Sequence, residues 1–497
     1  MAQSSAFSLA FAAWMLAVGC EKTAADSAAD GATTSDATTA DAADAAARVP
    51  SCAASRDDAV PWVRCAWGPY GEAASSSAFD PVADDLVVVG DVERDTVFDG
   101  VVQHPDGEED AFLARYSPKG KLLALRHFGG PFVKSNADHA QRVAVAADGT
   151  VFVAGTYGGD MDLGDGCKLA GDQNVVHADR RELFLAHFTS DFKCIWAKRS
   201  VSQDFDEVDD LTLLPNQSGV LVSGYLGVGG FGLANGSQGF LAAFTVDGTP
   251  LWGMAGSPTE PVESGGAVAV AADGRIAWVG SSPSQTGQFA GFPAHNGAFI
   301  ASLAANGTVT AVRMMPGVVL ALAFRADGGL SAVGQTATSV DLGNGVTFTA
   351  ASPDNAYLVR FAADGTTLDV VPLHLLATAT LGERSKSSAT VKILPDGSVL
   401  AAMHSVESTS LGTFPIAATT GAAVLAHYGA DGKPLAVAGP WPKVGVNHLA
   451  VGAAGSLGLS GYYVGDTEAN GLTLEGTQLP VTSGPFADLM VLRMTIP

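Results

Sequence analysis

Positive charge is scarce in this 497-residue chain: 27 Lys and Arg stand against 51 Asp and Glu, a formal net charge of −24. So acidic a surface is a poor partner for nucleic acid or anionic lipid. Long apolar runs are missing too: the run at 7–18 holds about a dozen residues, too few to span a bilayer as a stable helix. No stretch outside it sustains a 3.6-residue apolar period, which argues against helices. There is no GxSxG, P-loop, HExxH or CxxC, so the best-marked hydrolase, phosphate-binding and zinc chemistries have no motif here. Charged residues make up only 16%, whereas apolar residues reach 47% and Gly numbers 59, a composition suited to many short strands and tight turns.

What is present is a repeat. A short apolar run, a turn and a second run closing on Gly read VAVAADGTVFVAGT at 143–156, AVAVAADGRIAWVG at 267–280 and LAVGAAGSLGLSG at 449–461. Seven copies close at Gly90, Gly155, Gly224, Gly280, Gly334, Met403 and Gly461, spaced 54 to 69 residues apart. A second hairpin follows each, as in FLARYSPKGKLLALR at 112–126 and FLAAFTVDGTPLWGM at 240–254. Asp or Asn precedes Gly at four tips (Asp247, Asn306, Asp364, Asp431), as expected if both central residues of a two-residue turn take positive φ. Two hairpins make one four-stranded blade, so the chain reads as an all-β, seven-bladed β-propeller forming one domain over 51–497.

The seventh copy has only one strand, from Asp488, where two are expected. Cys65-Ala66-Trp67 resembles Cys194-Ile195-Trp196, so residues near 62–70 are expected to supply the missing outer strand. Strands from both termini would then close the ring and remove two open edges.

Ahead of the repeats, residues 1–20 form a signal-like segment whose Leu16-Ala17-Val18-Gly19-Cys20 resembles the bacterial lipobox, which implies lipidation at Cys20. Residues 21–50, almost all Ala, Asp, Thr and Ser, cannot bury enough apolar area to offset the entropy of ordering, and read as a disordered tether. Four further cysteines, Cys52, Cys65, Cys167 and Cys194, suggest two disulfides in an exported chain. The simplest pairing is Cys52–Cys65 with Cys167–Cys194, one of three connectivities.

Candidate ligand groups are few. Asp204, Asp206, Glu207, Asp209 and Asp210 crowd five carboxylates into seven residues, a weak calcium candidate or a solvated acidic loop. The segment at 160–166 approaches a calcium loop, but Asp341-Leu342-Gly343 repeats its Asp162-Leu163-Gly164, which favours a repeat turn. The GxGxxG match at 227–232 lacks a following helix. His187 and His427 occupy a position held by Arg115, Ala243, Ser302, Arg360 and Arg493 elsewhere, a variable strand face. His139 beside Asp138, or His177 near Asp179, would join a site only if the fold brings partners close.

The alternation of FLARYSPKGKLL with VAVAADGTVFVAGTY resembles the SBBP, or seven-bladed β-propeller, repeats of secreted and surface-anchored bacterial proteins, which carry an acidic residue before the FLA-type strand. Asp110, Glu182 and Asp488 match that acid, with Asn355 beside them. The resemblance covers about 61–497 and implies the propeller and a surface location, outer membrane or cell exterior, with no shared catalytic residues. Trp67, Trp196 and Trp252 also lend the outer strands some likeness to quinoprotein-type repeats. The expectation is a monomeric, non-catalytic module binding protein or glycan, with no cofactor save calcium. The alternative is an extracytoplasmic lyase, hydrolase or quinone-dependent oxidase. A funnel lined by converging His, Asp and Arg would favour the enzyme, and one lined by Gly, Ala and Val the binding module.

Overall fold

The computed structural model describes residues 61–497, except 69–70, 99, 106–108, 131–136, 172–180, 203–204, 234–237, 258–259, 261, 284–286, 295–296, 351–355, 376–388, 406–408, 417–421, 453–454, 465–472, 475–476 and 479–486. Cys20, the tether, Cys52, Asp204, His177, Asp179 and Asn355 lie outside the described residues.

Four-stranded antiparallel sheets recur at 72–128, 139–199, 207–255, 264–315, 318–373 and 389–441, in the order first, second, third, fourth strand. These are blades 1 to 6. Blade 7 has Val444–Val451, Ser456–Val464 and Ala487–Thr495, and its fourth strand is Trp62–Trp67 from the other end of the propeller. First strands touch in sequence from blade 1 round to blade 7 and back to blade 1, so the ring is closed as anticipated.

The register of closure differs from the sequence match. Trp62 faces Arg493, as Trp196 faces His187 and Trp252 faces Ala243, so Trp62 and not Trp67 is the counterpart of the repeat tryptophans. The reason is visible in the packing. Each indole nitrogen donates to a carbonyl in the turn between third and fourth strands of the next blade: Trp62 to Pro118, Trp196 to Val246 and Trp252 to Ala305. Each ring also lies against that turn's Gly, where Gly120, Gly248 and Gly307 leave no room for a Cβ. The outer edge of Trp62–Trp67 is partly covered by Thr96–Phe98, which pairs Ala66 with Phe98 and brings Val101–Gln103 with it. A hairpin from blade 1 thus shields an edge that closure alone leaves open.

Strands read as unbroken apolar runs because both sides of a blade are buried. In Leu86–Glu93, Val87 and Val89 pack toward blade 2 with Val153 and Phe184, while Leu86 and Val88 pack toward blade 7 with Leu489 and Val491. The closing Gly also finds its cause. Gly90, Gly155, Gly224, Gly280 and Gly334 each pair with the aromatic residue that opens the next hairpin motif, Phe112, Phe184, Phe240, Phe299 and Tyr357. The two exceptional copies keep the volume: Met403 faces Val424, and Gly461 faces Met490. A Cβ on Gly155 would fall 1.9 Å from His139 O and 2.8 Å from the Phe184 ring. Gly155→Ala is therefore expected to destabilise the fold by about 2 kcal/mol through overpacking, read as a lowered urea midpoint at unchanged m-value.

The Asp-Gly tips are not two-residue turns. Only the Gly takes positive φ, with Gly248, Gly307, Gly365 and Gly432 between 78° and 83°. The ladder slips just before the turn, between Ala243 and Phe244 for example. That is a type I turn followed by a left-handed Gly bulge. The Asp or Asn serves as an acceptor, taking the N–H two residues on at 2.8–3.2 Å (Thr249, Thr308, Thr366, Lys433).

Candidate functional site

The two ends of the propeller differ. First-to-second and third-to-fourth strand turns, all at one end, are 4 to 6 residues long, whereas the second-to-third connections at the opposite end run from 11 to 24. The long connections carry small hairpins such as Met161–Gly164 with Cys167–Leu169. In that hairpin Asp162 Oδ1 accepts the Gly164 N–H at 2.8 Å, and Asp341 Oδ1 accepts Gly343 N–H at 2.8 Å in blade 5, so both are turn residues. The hairpin is tied to the outer strand of its own blade by the Cys167–Cys194 disulfide. Cys65 is disulfide-bonded as well. The GxGxxG segment forms a three-residue 3₁₀ turn, Gly230–Gly232, and the next described element is the strand Gln238–Thr245.

At the short-turn end the shared position is an inter-blade latch where Arg115, Arg360, His427 or Arg493 fills it, whereas His187 packs within its own blade. Arg115 Nη2 donates to Gly149 O, Arg360 Nη1 to Ala430 O and Arg493 Nη1 to Asp84 O, each on the following blade. His187 stacks on Phe152 at 4.0 Å between ring centres. His427 Nδ1 lies 2.9 Å from Pro497 O.

The central lining is mixed. Most first strands bulge near the middle, between Ala140 and Arg142, Val208 and Asp210, and Val446 and His448 among others. On blades 4 and 5 the bulge residues are Gly266, Ala267 and Leu320. Elsewhere they are polar, and either they or the residue just after them stitch neighbouring first strands together. Gln141 Oε1 accepts Val208 N–H, Asp210 Oδ2 accepts Val268 N–H, Asn447 Nδ2 donates to Ala74 O and His448 Nδ1 accepts Ser77 N–H. Burial, helped by the charges of Lys392 and Arg142, holds the His448 pKa well below its ordinary value, which keeps that nitrogen an acceptor. Asp209 is pushed up to about 8, first by burial and then by Glu207. The lining thus has the His, Asp and Arg of a catalytic funnel, largely committed to strand-to-strand bonds.

The acidic segment is dispersed by the same architecture. Asp206 is fully buried and takes Gly227 N–H at 2.7 Å, Leu183 N–H at 3.0 Å and the Ser200 hydroxyl. Glu207 opens the first strand of blade 3, Asp209 is the bulge and Asp210 is bonded to blade 4. Among the described residues, Asp206, Glu207, Asp209 and Asp210 are not gathered into one ligand cluster.

One cluster does gather. Among the described residues, Asp91, Glu109 and His139 alone bring three His, Cys or carboxylate donors within 4.8 Å of one another. Asp91 lies two residues before the end of the second strand of blade 1, Glu109 begins its third, and His139 begins the first strand of blade 2, so the seam between blades assembles them. His139 Nδ1 is 3.3 Å from Asp91 Oδ1 and 3.4 Å from Glu109 Oε1, and the three side chains are 15 to 21% exposed. Burial, then the charge of Asp91, pushes Glu109 up to about 8. Burial opposes a charge on His139, but Asp91 and Glu109 outweigh it and raise its pKa. His139 was visible in the sequence; its partners were not. Their one signal is that Asp91 alone among residues after the closing position is acidic, where Thr156, Tyr225, Ser281, Gln335, His404 and Tyr462 stand in other copies.

The strand order and ring closure define a seven-bladed β-propeller sealed by an N-terminal strand. No protein-family model matches the chain, and no curated protein does. Solved structures similar to it include a protein of unknown function from Bacteroides caccae, 12% identical over 66% of this chain and 89% of that one, with a TM-score of 0.36. Raptor from Chaetomium thermophilum is 7% identical over 87% of this chain and 29% of that one, with a TM-score of 0.45. A protein provisionally classed as a gluconolactonase is 12% identical over 64% of this chain and 86% of that one, with a TM-score of 0.33. Likeness at this level bears on no activity, and the architecture rests on the strand pairing.

Proposed function

We propose that the chain is an exported, envelope-anchored binding module that takes a protein or glycan on its long-connection face without chemistry of its own. The observation that carries this reading is the asymmetry of the two ends, 4 to 6 residues per turn on one against 11 to 24 per connection on the other. Short turns repeat one bonded design. Long connections are where a rigid ring can vary what it recognises. A lipid on Cys20, the tether over 21–50 and a disulfide at Cys167–Cys194 fit an oxidising, extracytoplasmic place, as do the SBBP-like repeats. The acidic surface favours a neutral or basic ligand.

The test is thermal unfolding of the protein against panels of envelope glycans and peptides. A true ligand at 100 times its Kd adds about 2.7 kcal/mol of stability, and should be recovered chemically unchanged after prolonged incubation. Conversion of the ligand to product would replace this reading with the propeller enzyme. Calcium and pyrroloquinoline quinone belong in the same scan as the cofactors the alternatives require.

A further inference from the structure

The geometry at the seam of blades 1 and 2 points to a binding site for one divalent transition-metal ion of zinc's size, held by Asp91, Glu109 and His139. The donor spacing carries the inference. A charge-assisted N–H···O bond closes to about 2.7–2.9 Å, yet His139 Nδ1 stands 3.3 and 3.4 Å from its two carboxylate oxygens. Those two distances match edges of a coordination tetrahedron, and the three donors all lie within 4.8 Å of one another. Metal–ligand bonds of roughly 2.0–2.1 Å place neighbouring tetrahedral donors roughly 3.3–3.4 Å apart. One imidazole nitrogen and two carboxylate oxygens are a donor set that suits Zn²⁺ and its neighbours better than Ca²⁺, which asks for six or more oxygens.

Charge and access agree with an ion. Asp91 and Glu109, with Glu93 near them, outnumber the one neighbouring guanidinium, Arg181, and a dication offsets the charge that both ligand carboxylates carry once it is bound. The other imidazole nitrogen, Nε2, is buried without a hydrogen-bond partner among the described residues, so the ring gains its polar partners only on the Nδ1 side. The frame behind the ligands is fixed. Asp138 N–H donates to Glu109 O at 2.9 Å, tying the approach to His139 onto the start of the Glu109 strand. Residual exposure of all three side chains gives an ion a way in and leaves a fourth position for water or a ligand group. The site lies at the long-connection end, where the second strand of blade 1 ends and its third begins.

The full chain, stripped of metal with a chelator, is titrated with Co²⁺ and read by its visible ligand-field bands. The expected result is one ion per chain with the intense bands of a four- or five-coordinate nitrogen–oxygen complex, displaced one for one by Zn²⁺. His139→Gln and Glu109→Gln should each weaken binding by about 100-fold or more, while Asp341→Asn, in an exposed turn, leaves it unchanged. Circular dichroism of each apo variant separates lost ligation from lost fold. Three results would overturn the site: no nitrogen–oxygen spectrum from the wild-type chain with cobalt in large excess, a thiolate charge-transfer band in its place, or unchanged affinity in both folded variants. Because the wild-type spectrum is decisive alone, the test survives a variant that fails to fold.

Discussion

Replacing Trp62 by alanine is expected to cost about 3–5 kcal/mol of folding stability, the range for truncating a fully buried Trp. Trp62 has no exposed surface, lies 5.8 Å from the Tyr116 ring and donates to Pro118 O at 3.0 Å. Next to it, buried Arg64 donates to Gly120 O at 2.7 Å. The closing strand is thereby pinned to blade 1 as well as paired with blade 7. Truncation leaves a cavity where the ends of the ring meet and strips the Pro118 carbonyl of its donor. Trp196→Ala removes the same hydrogen bond from the equivalent position of blade 2, where the indole is partly exposed, and should cost distinctly less. Urea unfolding of both variants decides the matter. Equal losses would mean that Trp62 acts as an ordinary inter-blade contact and that closure is held elsewhere.

How much of this was legible in the sequence follows from what each feature depends on. The blades were readable because their signals are local: an apolar run, a turn, a Gly and an aromatic residue, repeated seven times. The closing strand was readable because the seventh copy was one strand short. Its register was not, since Cys65-Ala66-Trp67 mimics Cys194-Ile195-Trp196 while the residue that meets the neighbouring turn is Trp62, five positions earlier. The acidic segment at 204–210 looked like a loop because five carboxylates rarely enter a strand. A bulge at Asp209 and a buried partner set for Asp206 made a strand of its second half. The metal candidate needed packing information altogether. Asp91 and Glu109 share a blade with each other but meet His139 only across a seam, and no spacing rule links residues brought together that way.

The same seams should make the protein less stable as pH rises. Glu72, at the start of blade 1, and Asp488, at the start of the third strand of blade 7, are both buried at the closing seam. Glu72 is pushed up to about 10 by burial and then by the charge of Asp488, and Asp488 is pushed up to about 7, mainly by burial. Glu72 Oε2 and Asp488 Oδ2 have no donor among the described residues, and a proton held by the pair supplies one. Asp209 adds a third raised group, at about 8. A carboxyl raised above its unfolded value near 4 binds its proton more tightly when folded. Its contribution is therefore fully present below about pH 4 and is lost as pH climbs through the folded values, between about 7 and 10. Each proton that the folded state retains and the unfolded state releases costs about 1.4 kcal/mol of stability per pH unit between the unfolded and folded values, so these groups lower stability throughout the rise from pH 5 to pH 8. His448 and His187, both held below the ordinary imidazole value, act the other way, but only up to about pH 6.5, while lowered carboxylates such as Asp191 and Asp247 change stability only below about pH 4. Guanidinium unfolding should give a lower midpoint at pH 8 than at pH 5. Glu72→Gln supplies the missing donor permanently, keeps an oxygen for the Thr96 hydroxyl that now bonds Oε1 at 3.0 Å, and should flatten the profile by raising stability at pH 8. A midpoint that rises toward pH 8, or a profile that Glu72→Gln leaves unaltered, would mean the pair is ionised in the folded protein and the closing seam carries both charges.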